Sequence, residues 1–536
     1  MRKLLFLLFA GLAISLTSCR DDFAFETSTG GLEFSKDTVY LDTVFTNIGS
    51  STYRLKVYNR SDKDISIPKI QLGKGIASKY RLMVDGMTGD AGAQGKIFSN
   101  VELLAKDSLF IFIEVTSDVA SANPTDFLYT DQIQFTNAGS TTQKVELVTL
   151  IQDAYFIYPS RTQNPDNSYT YENVPLGLDD SSQPVTIIGS KLDHSDPMNG
   201  DEFLWNNTKP YVIYGYAVVP DNETLNIQDG ARIHFHANSG LIVSKNATLK
   251  VNGLPSATNN PADLSKEVIF EGDRLEPGFS DVPGQWGTIL SYSKKTDNVI
   301  NHLTIKNATV GILMQNLALL TDNDVPNLTI NNSQIYNCSN VGLLARKSTI
   351  TSENLVINSC GEASLACTYG GTYNFTHGTF NNNWSSSKQV AVLLNDYLET
   401  SSTLYVNNPT NIFNFTNCVI FGSNQVEFFI DRKGTFPFLH NLKNTLIKFN
   451  NSQLNDTGFY NFNAASGPYS NCYISKNNSN YVPKFKSIAG TKLWSTQDLS
   501  LAPSLMVALP TSVTTDILGK NRTPTVSIGA YQFISN

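Results

Sequence analysis

Short apolar runs separated by turn-forming clusters occupy the chain from about residue 31 to residue 153. Thr52–Tyr58 and Lys144–Leu150 alternate apolar with polar positions, and Ser108–Val115 is almost continuously apolar. Clusters such as Asn59–Asp62 stand between these runs. Alternation with a period of two residues predicts β-strands. Many short strands at this spacing predict an immunoglobulin-like β-sandwich over residues 31–155.

From Tyr211 onward the pattern becomes repetitive. Ile335–Cys338 is followed 22 residues later by the similar phrase Ile357–Cys360, and Val341–Leu344 is followed at the same interval by Ala363–Ala366. A period near 22 residues, with short apolar strands and Asn, Ser or Gly at the corners, predicts a parallel β-solenoid. A leucine-rich repeat has a similar period, but it needs a regular leucine phrase and a helix, and neither is present in this sequence.

Asparagine is concentrated in the repetitive half of the chain. Residues 1–155 contain five Asn, whereas residues 301–480 contain 33. Asn tolerates left-handed backbone conformations, and stacked carboxamides can hydrogen-bond from one coil to the next. We therefore expect Asn337 and its equivalents to form ladders at solenoid corners. Cys338 and Cys360 fall one coil apart, either within disulfide reach or, as the narrow core favours, as a stack of buried thiols.

The first 18 residues have the pattern of an export signal. Arg2 and Lys3 precede the apolar run Leu4–Leu16, which is too short to span a bilayer as a helix. The run ends in Leu16-Thr17-Ser18-Cys19, which resembles the lipobox of bacterial lipoproteins. The resemblance implies cleavage before Cys19 and acylation of its thiol, and acyl chains would anchor the protein to a membrane.

Asp21 and Asp22 follow the acylation site and resemble the surface-export signal of Bacteroidetes lipoproteins. The expected location is therefore the outer membrane, with the protein lipid-anchored and facing the cell exterior. Loss of Arg2 and Lys3 with the leader moves the formal net charge from −8 to −10. This negative charge argues against nucleic acid as a partner.

The predicted fold class is all-β, with an N-terminal Ig-like β-sandwich followed by a right-handed parallel β-helix. Only 16% of the residues are charged while 11% are aromatic, which suits extended β folds. The predicted domains are a leader at 1–18, an anchor linker at 19–30, the sandwich at 31–155, a connector and cap at 156–210, and the β-helix with its closing segment at 211–536.

Several phrases resemble the right-handed parallel β-helix lipoproteins of Bacteroidetes, which have a pectin-lyase-like fold. Gly284–Ile289 matches the phrase G-x-W-G-x-I, and Tyr211–Val219 resembles the first coils of that family. Asp516–Arg522 with Ile528–Tyr531 resembles the closing phrase D-x-x-G-x-x-R…D-I-G-A-Y, although Ser527 stands where the family has Asp. The resemblance implies the fold of residues 205–536 and says little about activity.

Enzymes of this fold carry acids and bases on the outer face of their middle coils. Asp396 follows the strand-like run Val390–Asn395. Arg346 and Lys347 would lie one coil away from it if the coils stack in a suitable register. Glycoside hydrolysis needs two carboxylates, and β-elimination needs a cation and a base. Asp396, Arg346 and Lys347 are therefore the candidate catalytic residues, with Ca²⁺ as a cofactor only in the lyase alternative and no cofactor otherwise. The phrase Asp431–Gly434 predicts a hairpin tip.

Other residues are candidates for binding and modification. Tyr369, Tyr373 and Trp384 could stack on sugar rings if they are exposed, and otherwise fill the core or the corners. His234 and His236 have the spacing of metal ligands on one strand, but no third ligand is near, so no metal site is expected. Three tripeptides resemble the Bacteroidetes O-glycosylation acceptor D-(S/T)-aliphatic, and their hydroxyl residues are Thr38, Thr43 and Ser108.

The sequence thus leads to three functional hypotheses. The first is a surface lipoprotein that binds a glycan or host surface without strong catalysis. The second is a polysaccharide lyase or glycoside hydrolase, and the third is a passive spacer. The scarcity of charge in the solenoid favours the first over the second, with the membrane and a polysaccharide as partners.

Overall fold

The computed structural model describes residues 24–123, 125–255, 263–401, 404–476, 481–483, 511–522 and 526–532. The chain divides into two compact units, Met1–Asp153 and Ala154–Asn536. The described residues are all-β and contain no α-helix. Their only helical turns are short 3₁₀ segments at Gly75–Ala77, Val119–Ser121, Ala138–Ser140, Pro277–Phe279 and Gly458–Tyr460.

The first unit contains ten strands in its described residues. They are β1 (Glu26–Thr27), β2 (Glu33–Phe34), β3 (Thr38–Phe45), β4 (Tyr53–Tyr58), β5 (Ile65–Leu72), β6 (Tyr80–Val84), β7 (Ile97–Leu103), β8 (Ser108–Val115), β9 (Leu128–Thr136) and β10 (Thr142–Gln152).

These strands form two sheets that share one core. The six-stranded sheet has the order β1-β5-β9-β10-β3, with β7 also paired to β5, and the four-stranded sheet has the order β2-β4-β8-β6. Side chains along β8 alternate between a buried and a more exposed side. Leu109, Ile111 and Ile113 lie on the buried side. Because successive side chains of a strand point to opposite faces, one face of each sheet lines the core and the other faces solvent.

The second unit begins with strands that the sequence presented as a connector and cap. They are β11 (Tyr155–Ile157), β12 (Arg161–Gln163), β13 (Tyr169–Tyr171), β14 (Asn173–Leu178), β15 (Pro184–Lys191) and β16 (Leu204–Trp205). β12 and β13 pair with each other, as do β14 and β15, and both pairs are antiparallel. β15 also pairs in parallel with the next part of the unit, so this stretch is integrated into the sheet.

In the described residues, the remaining strands lie between residues 211 and 475. They are β17 (Tyr211–Ile213), β18 (Tyr216–Val219), β19 (Thr224–Gln228), β20 (Arg232–Phe235), β21 (Gly240–Val243), β22 (Thr248–Asn252), β23 (Val268–Gly272), β24 (Ile289–Ser291), β25 (Val299–Asn301), β26 (Leu303–Lys306), β27 (Val310–Met314), β28 (Asn327–Asn331), β29 (Gln334–Cys338), β30 (Val341–Glu353), β31 (Val356–Cys360), β32 (Ala363–Thr376), β33 (Thr379–Asn382), β34 (Val390–Asn395), β35 (Tyr397–Ser401), β36 (Leu404–Asn407), β37 (Asn411–Thr416), β38 (Val419–Gly422), β39 (Phe428–Asp431), β40 (Leu439–Lys443), β41 (Leu446–Lys448), β42 (Tyr469–Ser470) and β43 (Tyr473–Ser475).

Most of these strands pair in parallel with the strand about one turn of the chain later. β17, β18 and β19 pair with β20, β21 and β22 respectively, and the same three-step cycle continues through β28. β30 and β32 are long enough to serve two steps of the cycle each. The result is an 11-stranded sheet and an 18-stranded sheet whose buried side chains form one continuous cluster.

The 22-residue repeat of the sequence is confirmed as a pairing register. Ile335 pairs with Ile357 and Cys338 with Cys360. Val341 pairs with Ala363 in the next strand of the cycle. The two cysteines are buried free thiols, as the stack of small side chains required.

The expected asparagine ladders are also confirmed. A column of residues with positive φ runs along one corner and contains Asn332, Asn354, His377, Asn417, Asn444 and Asn471. The Asn354 carboxamide donates to Asn332 Oδ1 at 2.8 Å, and the Asn444 carboxamide donates to Asn417 Oδ1 at 3.0 Å. A second ladder joins Asn337 to Asn307 at 2.6 Å.

Residues 511–522 and 526–532, which we call the closing segment, pack against the 11-stranded sheet. Ile517, Ala530 and Tyr531 form a buried cluster with Val356, and Ile528 does so with Val419 and Leu446. Arg522 is fully buried and donates to Asn354 Oδ1 at 2.7 Å. The closing phrase of the sequence therefore covers part of an otherwise open sheet face.

Candidate functional site

Asp396, the first candidate catalytic residue, has no exposed surface. Its carboxylate accepts hydrogen bonds from the backbone N–H groups of Lys433 at 3.0 Å and Gly434 at 3.1 Å. It also forms an ion pair with Arg432 at 3.1 Å. These contacts use the carboxylate to hold the loop after β39, so it is not presented to a substrate. The predicted hairpin tip at Asp431–Gly434 is wrong, because β39 and β40 pair in parallel with β34 and β37 and not with each other.

Arg346 and Lys347 have other partners. The Arg346 guanidinium donates to Gln315 Oε1 at 2.7 Å, and the Lys347 ammonium donates to the Asp322 carbonyl at 3.0 Å. Burial lowers the pKa of Arg346. Within the described part of the chain, no hydrogen bond or ion pair joins either residue to Asp396. The expected catalytic constellation is therefore not assembled by these contacts.

The three candidate stacking aromatics differ in their surroundings. Tyr373 has no exposed surface, its hydroxyl donates to the Gly370 carbonyl at 2.8 Å, and its ring stacks on Phe413. Tyr369 is also buried, in a left-handed turn within β32. Tyr373 therefore fills the core, which is the second alternative that the sequence left open, because the alternation of β32 turns this ring inward. Tyr369 is buried as well and is not available for stacking on a sugar. Trp384 is half-buried, and stacking of a sugar on its ring stays a prediction.

The candidate modification sites lie in or before the first unit's sheets. Cys19 lies outside the described residues. Thr38 and Thr43 are half-buried on β3, and Ser108 is half-buried at the start of β8. Glycosylation at these positions stays a prediction.

His234 in β20 and His236 just after it do not form a common metal site. His234 is buried beside Glu271, whose carboxylate also forms an ion pair with Lys306. His236 is exposed and hydrogen-bonds Asp273 at 2.7 Å. Among the described residues there is no group of three or more His, Cys, Asp or Glu able to hold a metal ion.

A cavity of about 490 Å³ lies between the β14–β15 hairpin and the segment 317–322. Its walls include Tyr292 and Leu317, and its polar rim includes Lys191, Asp221, Lys245 and Asp322. Lys245 bridges Asp322 and Asp324 at 2.8 Å to each. Lys245 and Lys294 lower the pKa of Asp324, which keeps this carboxylate ionised and unsuited to act as a general acid.

Glu427 is a buried carboxyl group that the sequence did not single out. It accepts hydrogen bonds from the N–H groups of Asn424 at 2.6 Å and Ala391 at 2.8 Å. It packs over Gly422, where a Cβ atom would lie 2.2 Å from Glu427 Oε1. Burial raises the pKa of Glu427 to about 7. Its donors come from β34, from the turn before β39 and from the side chain of Gln389, all inside the unit, so its role is structural.

Glu427→Gln is expected to remove a pH dependence of stability. The ordinary value for Glu is 4.5, so between about pH 4.5 and 7 the unfolded chain has lost a proton that the folded chain retains. This group therefore lowers the free energy of unfolding as the pH rises, by about 3 kcal/mol in total, and has no further effect above pH 7. Urea unfolding across this range should show the fall in the wild type and a smaller one in Glu427→Gln. The exposed Glu362→Gln serves as control, and identical profiles for all three proteins would contradict the assignment.

A regular polar surface covers the outward side of β28, β30, β32, β37 and β40. One row of it, which we call the polar row, consists of Thr329, Thr351, Asn374, Asn414 and Asn441 in successive parallel pairing. The carboxamides of Asn374, Asn414 and Asn441 are linked by hydrogen bonds of 2.8 and 2.9 Å. A second row, two residues further along each strand, contains Asn331, Glu353, Thr376, Thr416 and Lys443.

The polar row was not predicted from the sequence, although the repeat register that aligns its residues is present there. Its members become aligned only after the 22-residue register is extended through the longer turns of the chain. Asn374 and Asn414, for example, are 40 residues apart because the β35–β36 hairpin lies between them. Neighbouring strands lie about 4.8 Å apart, so the row presents an amide or hydroxyl group at each such step.

The described residues include no helix long and apolar enough to cross a membrane.

Comparison with known protein families gives no match, and comparison with curated proteins gives none either. Three of the solved structures that are similar to this chain have TM-scores of 0.14–0.17, and scores of this size do not establish a shared fold. The ASH / PapD-like domain 7 of human CEP192 is 12% identical, with 26% of this chain and 96% of that chain covered, at a TM-score of 0.15. A family 123 glycoside hydrolase from Clostridium perfringens is 7% identical, with 24% and 30% covered, at 0.17. The GH5 xyloglucanase of Bacteroides ovatus is 7% identical, with 59% and 79% covered, at 0.14.

Proposed function

We propose that this chain is a surface lipoprotein whose second unit is a right-handed parallel β-helix that binds an extended glycan without strong catalysis. The three-step cycle of parallel strands, the 22-residue register and the continuous internal core support a β-helix. The two sheets around one core support an Ig-like sandwich in the first unit.

The polar row carries the proposal of glycan binding. Its hydroxyl and carboxamide groups repeat along the strand-stacking direction, so a linear polymer lying along the row can make the same hydrogen bond several times. The amide ladder fixes the orientation of three of these groups before a ligand arrives. Preorganised groups lose less conformational freedom on binding, which favours affinity.

The contacts of the acidic residues support binding over catalysis. Asp396 is held by Arg432 and two backbone N–H groups, and Asp322 and Asp324 share Lys245. A glycosidase needs one carboxyl group with a raised pKa beside a second, ionised one facing the substrate. Glu427 has the raised pKa, but its carboxyl group faces backbone donors inside the unit.

The proposed location is the outer membrane, with the acyl chains on Cys19 as anchor. The apolar run Leu4–Leu16, the phrase Leu16-Thr17-Ser18-Cys19 and the acidic pair after it support this location. A glycan-binding surface on the cell exterior would meet extracellular polysaccharides directly.

Thr351→Arg is expected to weaken glycan binding at the polar row. Thr351 is exposed and is the second of the five members of the row, between Thr329 and Asn374, so a long charged side chain there blocks a polymer from lying flat. The protein from Arg20 onward is screened against immobilised neutral and acidic polysaccharides, and dissociation constants are measured for those retained. We expect a loss of about tenfold or more in affinity for at least one of them.

The matched control is Thr162→Arg, which places the same side chain at an exposed position of the β12–β13 hairpin, a two-stranded sheet separate from the sheet that carries the row. Equal losses in both variants would refute binding at the polar row. Release of unsaturated or reducing ends from any polysaccharide would favour the enzyme alternative. Failure of the wild type to bind any of them would favour the passive spacer.

A further inference from the structure

The outward side of the four-stranded sheet in the first unit carries large apolar side chains. Phe110 is 38% exposed, Phe112 is 39% exposed and Met83 is 42% exposed. They are outward positions of β8 and β6, whose inward neighbours Ile111 and Leu82 are buried. Isolated exposed apolar residues are common, but adjacent ones on one flat sheet face are typical of binding surfaces.

The geometry of this face combines aromatic rings with cations. The rings of Phe110 and Phe112 are 6.3 Å apart between centroids and inclined by 24°. Across the strand pair, Lys56 stands opposite Phe110 and Arg54 stands opposite Phe112. The Lys56 ammonium is 5.2 Å from the centroid of Phe110. We call Arg54, Lys56, Met83, Phe110 and Phe112 the aromatic–basic face.

Basic side chains at the margins of this sheet form ion pairs with carboxylates, whereas the two at its centre do not. Arg60 pairs with Glu33 at 2.8 Å, and Arg81 pairs with Glu114 at 3.4 Å. In the part of the chain that the structure describes, no carboxylate lies within ion-pair distance of Arg54 or Lys56. Two positive charges therefore remain beside the two rings, in a chain whose net charge is −8.

We propose that the aromatic–basic face binds an acidic polysaccharide, one whose sugar rings carry carboxylate or sulfate groups. The apolar faces of pyranose rings stack on Phe110 and Phe112, and the acidic groups pair with Arg54 and Lys56. The spacing suits this ligand because each ring has a cation directly across the strand pair. This site lies in the first unit and is independent of the polar row.

Single-stranded nucleic acid is the other polymer that combines flat rings with negative charge. It carries a phosphate at every nucleotide, and its binding to proteins depends on neutralising many of them. The face offers two uncompensated cations on a chain of net negative charge. A polymer with sparser charge and apolar ring faces is therefore the better match.

The test uses the protein from Arg20 onward and polygalacturonate as the acidic probe, with dextran as the neutral one. Arg54→Gln combined with Lys56→Gln removes both charges and keeps side-chain length. We expect the affinity of this double variant for polygalacturonate to fall about tenfold or more, and the salt dependence of binding to decrease. Phe110→Ala combined with Phe112→Ala should lower the affinity by a similar factor while the salt dependence is retained.

Lys69→Gln combined with Lys144→Gln is the matched control, because it removes two cations from the other sheet of the same unit. The proposal is overturned if the wild type does not bind polygalacturonate, if the control loses as much affinity as the Arg54 and Lys56 variant, or if an oligonucleotide or an anionic vesicle binds more tightly at this face. Thr351→Arg distinguishes the two sites, since it should leave binding at the aromatic–basic face unchanged.

Discussion

Arg522→Ala is expected to lower the free energy of unfolding by roughly 3–5 kcal/mol and to detach the closing segment from the second unit. The Arg522 guanidinium donates to the carbonyl groups of Ser527 at 3.1 Å, Gly529 at 3.0 Å and Ala530 at 3.1 Å. It also donates to Asn354 Oδ1 in the corner ladder at 2.7 Å. Truncation leaves several buried acceptors without a donor, and each such loss costs about 1–3 kcal/mol.

The measurement is urea unfolding combined with limited proteolysis and mass analysis of the fragments. The variant should unfold at a lower urea concentration and should be cleaved first within residues 511–532. Arg522→Lys should recover only part of the stability, because an ammonium group cannot reproduce the planar array of donors. Lys520→Ala is the control two residues away. An Arg522→Ala protein with wild-type stability and wild-type cleavage would show that the segment docks through its apolar residues alone.

The repeat could be predicted from the sequence where consecutive repeats have the same length. From β29 to β32 the chain contains no insertion, so Ile335, Ile357 and the two paired cysteines recur at 22 residues and pair in that register. The asparagine corners were predictable for a related reason. A left-handed backbone position disfavours most side chains, so the enrichment of Asn in the repeats already indicates where the chain turns.

The environment of Asp396 could not be predicted, because it depends on an insertion. The β35–β36 hairpin separates β34 from β37, and the carboxylate binds the loop at Lys433 and Gly434, which lie 37 and 38 residues later in the chain. The sequence indicated that a strand ends at Asn395 but provided no registry across the insertion. The partners of Arg346 and Lys347 could not be predicted for the same reason, because they lie in the insertion after β27.

The inward orientation of Tyr373 was predictable from β32 itself. Leu365, Cys367 and Tyr373 are separated by even numbers of residues, and all three belong to the buried cluster of the second unit. Alternation from the start of the strand therefore places this ring inward. This remains so although the register between β30 and β32 shifts between Arg346 and Ser348. The cavity, in contrast, could not be predicted, because one of its walls comes from β14, in the stretch that the sequence presented as a connector.

Phe415→Ala is expected to lower the free energy of unfolding by about 3–5 kcal/mol. Phe415 has no exposed surface and lies at the centre of an aromatic group inside the second unit. Its ring stacks on Phe375 at 5.2 Å and makes edge contacts with Phe380 at 5.9 Å and Phe428 at 6.5 Å. Each neighbour comes from a different strand, so the rings cannot collapse into the space without moving three strands.

Phe429→Ala is the matched control, because Phe429 follows Phe428 on β39 but points outward and is 43% exposed. Its truncation should change stability by less than about 1 kcal/mol. Chemical unfolding of both variants, followed by tyrosine fluorescence and circular dichroism, gives the two values under the same conditions. Similar small losses for both variants would mean that the strands around β37 can repack, as a loosely packed core would allow. A large loss for Phe415→Ala alone fits a core in which each turn of the chain holds its neighbours in place.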